Sequence, residues 1–272
     1  MYLVNGQPSD VIPVTDRGFQ YADGLFETIA VKDSEPLLFD RHLARLALGC
    51  AKLGIAMPPR ELLASEARRL CEGVERQVLK IVVTRGSGGR GYRPEGAGPT
   101  TRVLATLPWS EHPAAWRDTG VGVRLCRTRL ACNPALAGLK HLARLEQVLA
   151  RGEWNNASVQ EGLMLDMQGH VIEGTMSNLF LVQGERLVTP SLEACGVRGV
   201  MRGAVLDCAT RSGMDWEERM ITAEELHGAD GLFLTNSLIG VWPVRRFDGT
   251  EYSVPSVVRE LAAQLIRERA CA

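Results

Sequence analysis

The sequence predicts a mixed α/β protein built as two compact halves. Two observations carry this. Along the chain the apolar residues switch between the two-residue repeat of strands and the three-to-four-residue repeat of helices, with no internal repeat, low-complexity tract or disordered tail. That pattern is broken once, by the proline-bearing stretch "PWSEHPAAWRDTG" at 108–120. The expected organisation is a smaller N-terminal α/β domain at 1–108, a linker at 109–119 and a larger C-terminal domain at 120–272.

Taken in order, "MYLVNGQ" predicts a strand entering an Asn-Gly turn, a strong hairpin signal. A second turn follows at Asp16-Arg17-Gly18, and "GLFETIAVKDSEPLLF" reads as another hairpin. "DRHLARLALGCAKLGI" is an expected helix with Leu43, Leu46, Ala47, Cys50 and Leu53 on one face. Pro58-Pro59 ends it, and "RELLASEARRLCEG" starts a second helix. "QVLKIVVTRG" and "TRVLATLPW" are strands flanking a glycine-rich loop. In the second half come a strand "VGVRLCRTRL", a helix from about residue 137, and a hairpin turning at Gln168-Gly169. A helix "GVMRGAVLDCATRSG", a strand "GLFLTNSL" and a C-terminal helix complete the chain.

Composition narrows the function classes. The 272 residues are 45% hydrophobic and 23% charged, with net charge −1, so nothing argues for a nucleic-acid or membrane partner. No apolar run has the length of a membrane span, and "MYLVNGQPSD" lacks the pattern of a secretory signal, so a cytoplasmic location is expected. Seven cysteines form no C-x-x-C pair and the histidines form no cluster, so no metal site is expected.

"RGSGGRGY" has the Gly86-x-Gly88-x-x-Gly91 spacing of a dinucleotide fingerprint, directly after a strand. That motif requires a helix to follow, and "YRPEGAGP" cannot form one. The loop instead joins two strands. It carries Arg85, Arg90 and Arg93, either as a solvated hairpin or as a flexible loop closing over a carboxylated ligand.

In "AGLKHLARLEQVLARGEW" the spacing of Leu142, Leu145, Val148 and Leu149 predicts a core-facing helix with Lys140 at its N-terminal edge. A cation there opposes the helix dipole, which disfavours its charged form and makes a better amine nucleophile and base. The alternative is a lysine that merely reaches solvent. Glu173, in "HVIEGTMSNLFLV", is either a solvated edge charge or a buried partner for a protonated ring nitrogen. Gly196 and Gly199 precede an apolar-periodic helix whose first N–H groups suit an anion. A lysine, an acid and a helix-terminal phosphate site are what a pyridoxal phosphate enzyme needs.

Six stretches, "GLFETI", "RHLARL", "LKHLARLEQVLA", "EGTMSNLF", "TP" followed by "GVRGVMR", and "TNSLIGVWPV", together resemble in order the fold-type IV pyridoxal phosphate enzymes, over almost the whole chain. That family includes branched-chain and D-amino-acid transaminases and aminodeoxychorismate lyases; "RGSGGRGY" and "AGLKHLARLEQVL" look specifically like the lyases. The resemblance implies a two-domain enzyme with the cofactor between the domains, usually a homodimer. By resemblance Lys140 carries pyridoxal 5'-phosphate and later acts as general base. Glu173 pairs with the pyridine nitrogen. Arg45, the backbone of Val200 and Met201, and the Ser237 hydroxyl hold the phosphate. Arg90 and Asn236 contact the small-molecule substrate. Transaminases of the family often carry a tyrosine five residues after the lysine, where this chain has Leu145, which argues against transamination as the main activity. The implied reaction converts 4-amino-4-deoxychorismate to 4-aminobenzoate and pyruvate, a step of folate biosynthesis. The alternatives are a transaminase on the same cofactor, a nicotinamide oxidoreductase using Gly86 to Gly91, and a catalytically silent binding module.

Overall fold

A computed structural model describes residues 1–94 and 96–271, and the chain divides into two compact units. The first comprises Met1–Ser110 together with Leu139–Ala143; the second comprises Glu111–Gly138 and Arg144–Cys271. The placement of Lys140 differs from expectation: its segment packs with the N-terminal unit rather than with the C-terminal one.

Among the described residues the first unit holds strands β1 (Tyr2–Val4), β2 (Gln7–Pro8), β3 (Gly24–Lys32), β4 (Glu35–Pro36), β5 (Arg76–Thr84) and β6 (Thr101–Leu107). Its helices are α1 (Arg17–Tyr21), α2 (Phe39–Leu53) and α3 (Arg60–Cys71). The strands form one antiparallel sheet in the order β2-β1-β6-β5-β3-β4. Asn5 and Gly6 both take positive φ in the β1–β2 turn, the backbone that an Asn-Gly hairpin turn demands. α2 buries Leu43, Leu46 and Cys50 as its periodicity predicts. It also comes very close to β3: a side chain at Gly49 would meet Leu25 Cδ1 at 2.8 Å. This approach brings the buried polar residues of α2 onto β3. The loop after β5 runs to β6 with no helix after Gly91 among its described residues, so the fingerprint spacing is not a dinucleotide site.

The second unit contains α4 (Ala115–Thr119), β7 (Val121–Leu130), α5 (Leu145–Arg151), β8 (Glu161–Asp166), β9 (Val171–Gly174), β10 (Asn178–Gln183) and β11 (Arg186–Pro190). It continues through α6 (Val200–Arg211), β12 (Trp216–Arg219), α7 (Ala223–His227), β13 (Gly231–Asn236), β14 (Gly240–Phe247), β15 (Thr250–Glu251) and α8 (Ser256–Arg267). Its mixed sheet runs β12-β11-β10-β13-β14-β7-β8-β9, with β15 on β14. The β7–β8, β7–β14 and β11–β12 pairs are parallel. Val121, Leu163, Leu179, Val188, Leu234, Trp242 and Phe247 form its core.

One expected element is much shorter than its pattern suggests. α5 begins only at Leu145, and Leu145, Val148 and Leu149 are 75%, 64% and 65% exposed rather than core. The reason lies upstream, where residues 139–143 are drawn into pairing with β3.

Candidate active site

In the first unit the Lys140 segment adds to the edge of β3. Phe26 N–H donates to the Lys140 carbonyl at 3.0 Å, and Leu142 N–H donates to the Gly24 carbonyl at 3.0 Å, with Leu25 and His141 paired antiparallel. Gly24 is required by this crossing: a side chain there would meet Val83 O at 2.6 Å and Leu142 Cδ1 at 2.8 Å. The half-buried Lys140 places Nζ 4.4 Å from the centre of the Phe26 ring. The lysine is therefore held by extended backbone, and the helix-dipole argument for its chemistry does not apply.

On the other side of β3's alternation sits Glu27, 1% exposed. Its carboxylate receives Arg45 Nε on Oε1 at 2.9 Å, and Arg45 Nη2 at 2.5 Å and His42 Nδ1 at 2.6 Å on Oε2. Burial pushes the Glu27 carboxyl up, but Arg45 and His42 together outweigh it and hold it below its ordinary value. His42 moves the other way. Burial drives it down, and the charges of Arg45 and Lys140 add to that against the pull of Glu27. Neither Glu27 nor His42 was singled out by sequence reasoning; the only trace was their place within "GLFETI" and "RHLARL".

The glycine-rich loop is anchored. Buried Arg17 donates from Nη1 to Gly91 O at 2.9 Å and from Nη2 to Tyr92 O at 3.2 Å, and its Nε reaches Asp23 Oδ2 at 2.9 Å. Arg85 turns inward as well, pairing with Asp23 Oδ2 at 2.8 Å and capping the Leu53 and Gly54 carbonyls at the end of α2. Arg85 is thus part of the loop's anchor and not one of its reaching cations. Arg90 is exposed on the loop.

In the second unit Glu173 is 4% exposed on β9, beside Met164 of β8. Its Oε2 accepts the Val197 N–H at 2.8 Å, so it is not a solvated edge charge. Burial lowers the Arg144 guanidinium from its ordinary value while Glu173 and Glu146 pull it back up, which places cationic Arg144 in the field of Glu173. Below the turn that follows Glu173, buried Glu161 accepts from Thr175 Oγ1 at 2.6 Å, Met176 N at 3.2 Å and Ser177 Oγ at 2.8 Å. Arg144 and Glu161 also escaped the sequence reading.

Val197 leads into α6. Gly138 lies parallel to it, with Gly138 N–H donating to Gly196 O at 2.9 Å and Arg198 N–H to Gly138 O at 3.1 Å. A side chain at Gly199 would meet Asn178 Oδ1 at 2.0 Å, so only glycine fits at this N-cap. Gly199 offers no side-chain cap, which leaves the first turn of α6, Val200 and Met201, able to present N–H groups to an anion. Ser237 sits half-buried in the β13–β14 turn. Asn236 shapes that turn: Oδ1 accepts from Leu238 N and Ile239 N at 2.8 and 2.9 Å, and Nδ2 donates to Met176 O at 3.0 Å. Its amide thus ties three backbone groups together.

Residues 24–247 match the model of the amino-transferase class IV family. The chain belongs to that family. Within the class IV amino-transferases it is 36% identical to an aminodeoxychorismate lyase of Vibrio harveyi, covering 97% of this chain and 98% of that one. It is 30% identical to a D-alanine aminotransferase of Bacillus licheniformis over 88% of this chain and 83% of that one. The crystal structure of a 4-amino-4-deoxychorismate lyase from Pseudomonas aeruginosa superposes with a TM-score of 0.94 at 45% identity, covering 99% of this chain and 100% of that one. The fold is therefore the mixed α/β fold-type IV architecture expected of this class IV member.

Proposed function

We propose that the chain is a pyridoxal phosphate-dependent lyase that converts 4-amino-4-deoxychorismate to 4-aminobenzoate and pyruvate. The observation that carries this reading is the near full-length likeness to aminodeoxychorismate lyases, at 36% and 45% identity. The residues assigned by the family resemblance are of the types this cofactor needs. Lys140 supplies the amine that carries it, and buried Glu173 supplies the carboxylate for its ring nitrogen. The uncapped start of α6 at Val200 and Met201 suits its phosphate, and the family resemblance assigns Arg45 and the Ser237 hydroxyl to the same group. Gly196, where a side chain would meet Ile172 Cγ2 at 2.7 Å, keeps that backbone close to Glu173.

When bound, pyridoxal phosphate supplies an electron sink for the carbon that bears the substrate amine. Lys140, whose amine would hold the cofactor, would also be the general base for the hydrogen on the same carbon. Glu173 keeps a proton on the ring nitrogen, so that the sink stays cationic. Arg90 offers a two-pronged partner to a substrate carboxylate. The electron pair left by the hydrogen would break the bond to the ether oxygen, so that the side chain departs as enolpyruvate, which takes up a proton to become pyruvate, and the ring becomes aromatic. Aromatisation drives the step forward, so the protein's main tasks are positioning and charge stabilisation.

The product is a folate precursor, and the reading makes this a cytoplasmic homodimer. The exposed apolar face of α5, Leu145, Val148 and Leu149, supports self-association. The test is borohydride reduction of the purified, yellow protein followed by peptide mapping. The adduct is expected on Lys140; an adduct on any other lysine, or none, overturns the reading. D-Alanine-dependent amino transfer that outpaces pyruvate release from aminodeoxychorismate would reassign the chain to the transaminases.

A further inference from the structure

We infer that Glu27 and His42 are positioning residues for the cofactor phosphate: Glu27 fixes the plane of the Arg45 guanidinium, and His42 fixes Glu27. The inference rests on the proposed role of Arg45 and adds two residues that do not themselves touch the cofactor.

The geometry is a two-pronged clamp from strand to helix. Glu27 lies on β3, while His42 and Arg45 lie three residues apart on one face of α2. Arg45 uses Nε and Nη2 against the two carboxylate oxygens at 2.9 and 2.5 Å, a paired contact that leaves the planar group one orientation. Glu27 is 1% and the Arg45 side chain 12% exposed, so each charge needs the other once water is excluded.

His42, fully buried, takes Glu27 Oε2 from a second direction at 2.6 Å. Because Glu27 is ionised, Nδ1 is the donor in that bond. Nε2 is buried and has no hydrogen-bond partner. A protonated ring would leave an unsatisfied buried N–H and add a third positive charge beside Arg45 and Lys140. The ring is therefore neutral, with a bare nitrogen at Nε2. It orients the carboxylate without competing for its charge, so the clamp serves Arg45 alone. A glutamine at position 27 would set an amide N–H against the Arg45 or His42 donors, and the guanidinium would lose its fixed plane.

The test compares the affinity of the full-length, cofactor-stripped protein for pyridoxal phosphate and for pyridoxal, which lacks the phosphate. For Glu27→Gln we expect pyridoxal phosphate binding to weaken about tenfold, roughly the effect of one charge-assisted hydrogen bond, with pyridoxal binding unchanged. His42→Asn, which keeps a donor, should preserve the affinity ratio better than His42→Leu. This pair carries the test if Glu27→Gln does not fold. A ratio unchanged in Glu27→Gln, or equal in the two His42 variants, overturns the inference. Arg45→Ala separates the two levels. If it too leaves the ratio unchanged, the phosphate role of Arg45 falls; if it collapses the ratio while the others do not, only the clamp falls.

Discussion

The backbone N–H of Phe26 donates to the carbonyl of Lys140 at 3.0 Å, and Lys140 Nζ lies 4.4 Å from the centre of the same residue's ring. One residue of β3 thus fixes both ends of the lysine. Gly24, two residues upstream, receives the Leu142 N–H and closes the attachment. Gly24→Val forces a side chain into Val83 O and Leu142 Cδ1. We expect it to cost about 1–3 kcal/mol of stability, as overpacking does, measured by urea unfolding. It should also lower product release by more than its effect on folded fraction, because Lys140 moves with Leu142.

Glu173→Gln keeps a carbonyl to accept the Val197 N–H but removes the charge. The expected result is a folded protein that still binds cofactor, with kcat reduced by two orders of magnitude or more. Equal kcat in this variant would remove Glu173 from the chemistry.

Asp23 links the Lys140 side of the fold to the glycine-rich loop through Arg17 and Arg85. Burial raises its pKa, but the two arginines outweigh burial and hold it below the usual carboxylate value of 3.8. A depressed folded-state pKa means the pairing stabilises the fold fully above that value and is lost as pH falls through the lower folded pKa. Urea unfolding of the parent and Asp23→Asn should therefore show a stability gap that is constant from pH 7 to about 5 and narrows below about 4. A gap independent of pH would contradict the ion-pair account.

The apolar face of α5 gives a fourth expectation. Val148→Lys places a charge between Leu145 and Leu149, and should shift sedimentation velocity from the proposed dimer toward monomer while leaving the protein folded. An unchanged sedimentation coefficient would free this face of any role in assembly.

What could be read from the sequence divides by range. A local signal held: the Asn5-Gly6 hairpin turn needs only neighbouring residues. The α2 core face also followed from its own periodicity. The Lys140 stretch failed because its fate is decided at a distance. β3, more than a hundred residues earlier, captures residues 139–143 as extended chain, so α5 starts late and its leucines face outward. Lys140 stands out by its surroundings in sequence, yet the dipole offered to explain it acts only at a helix end that lies elsewhere. Glu27, His42, Asp23 and Glu161 were missed for a related reason. A buried carboxylate looks like any surface one until the strand and helix that supply its partners are in place. Asn236 is the converse: its amide side chain suited a ligand by type, and its three backbone bonds became visible only in the folded turn.

The proposed reaction can be tested directly. Purified protein incubated with 4-amino-4-deoxychorismate should release 4-aminobenzoate and pyruvate in equal amounts, followed by fluorescence and by coupled reduction of pyruvate, with Lys140→Ala inactive. Absence of pyruvate, or the same rate from Lys140→Ala, would contradict it.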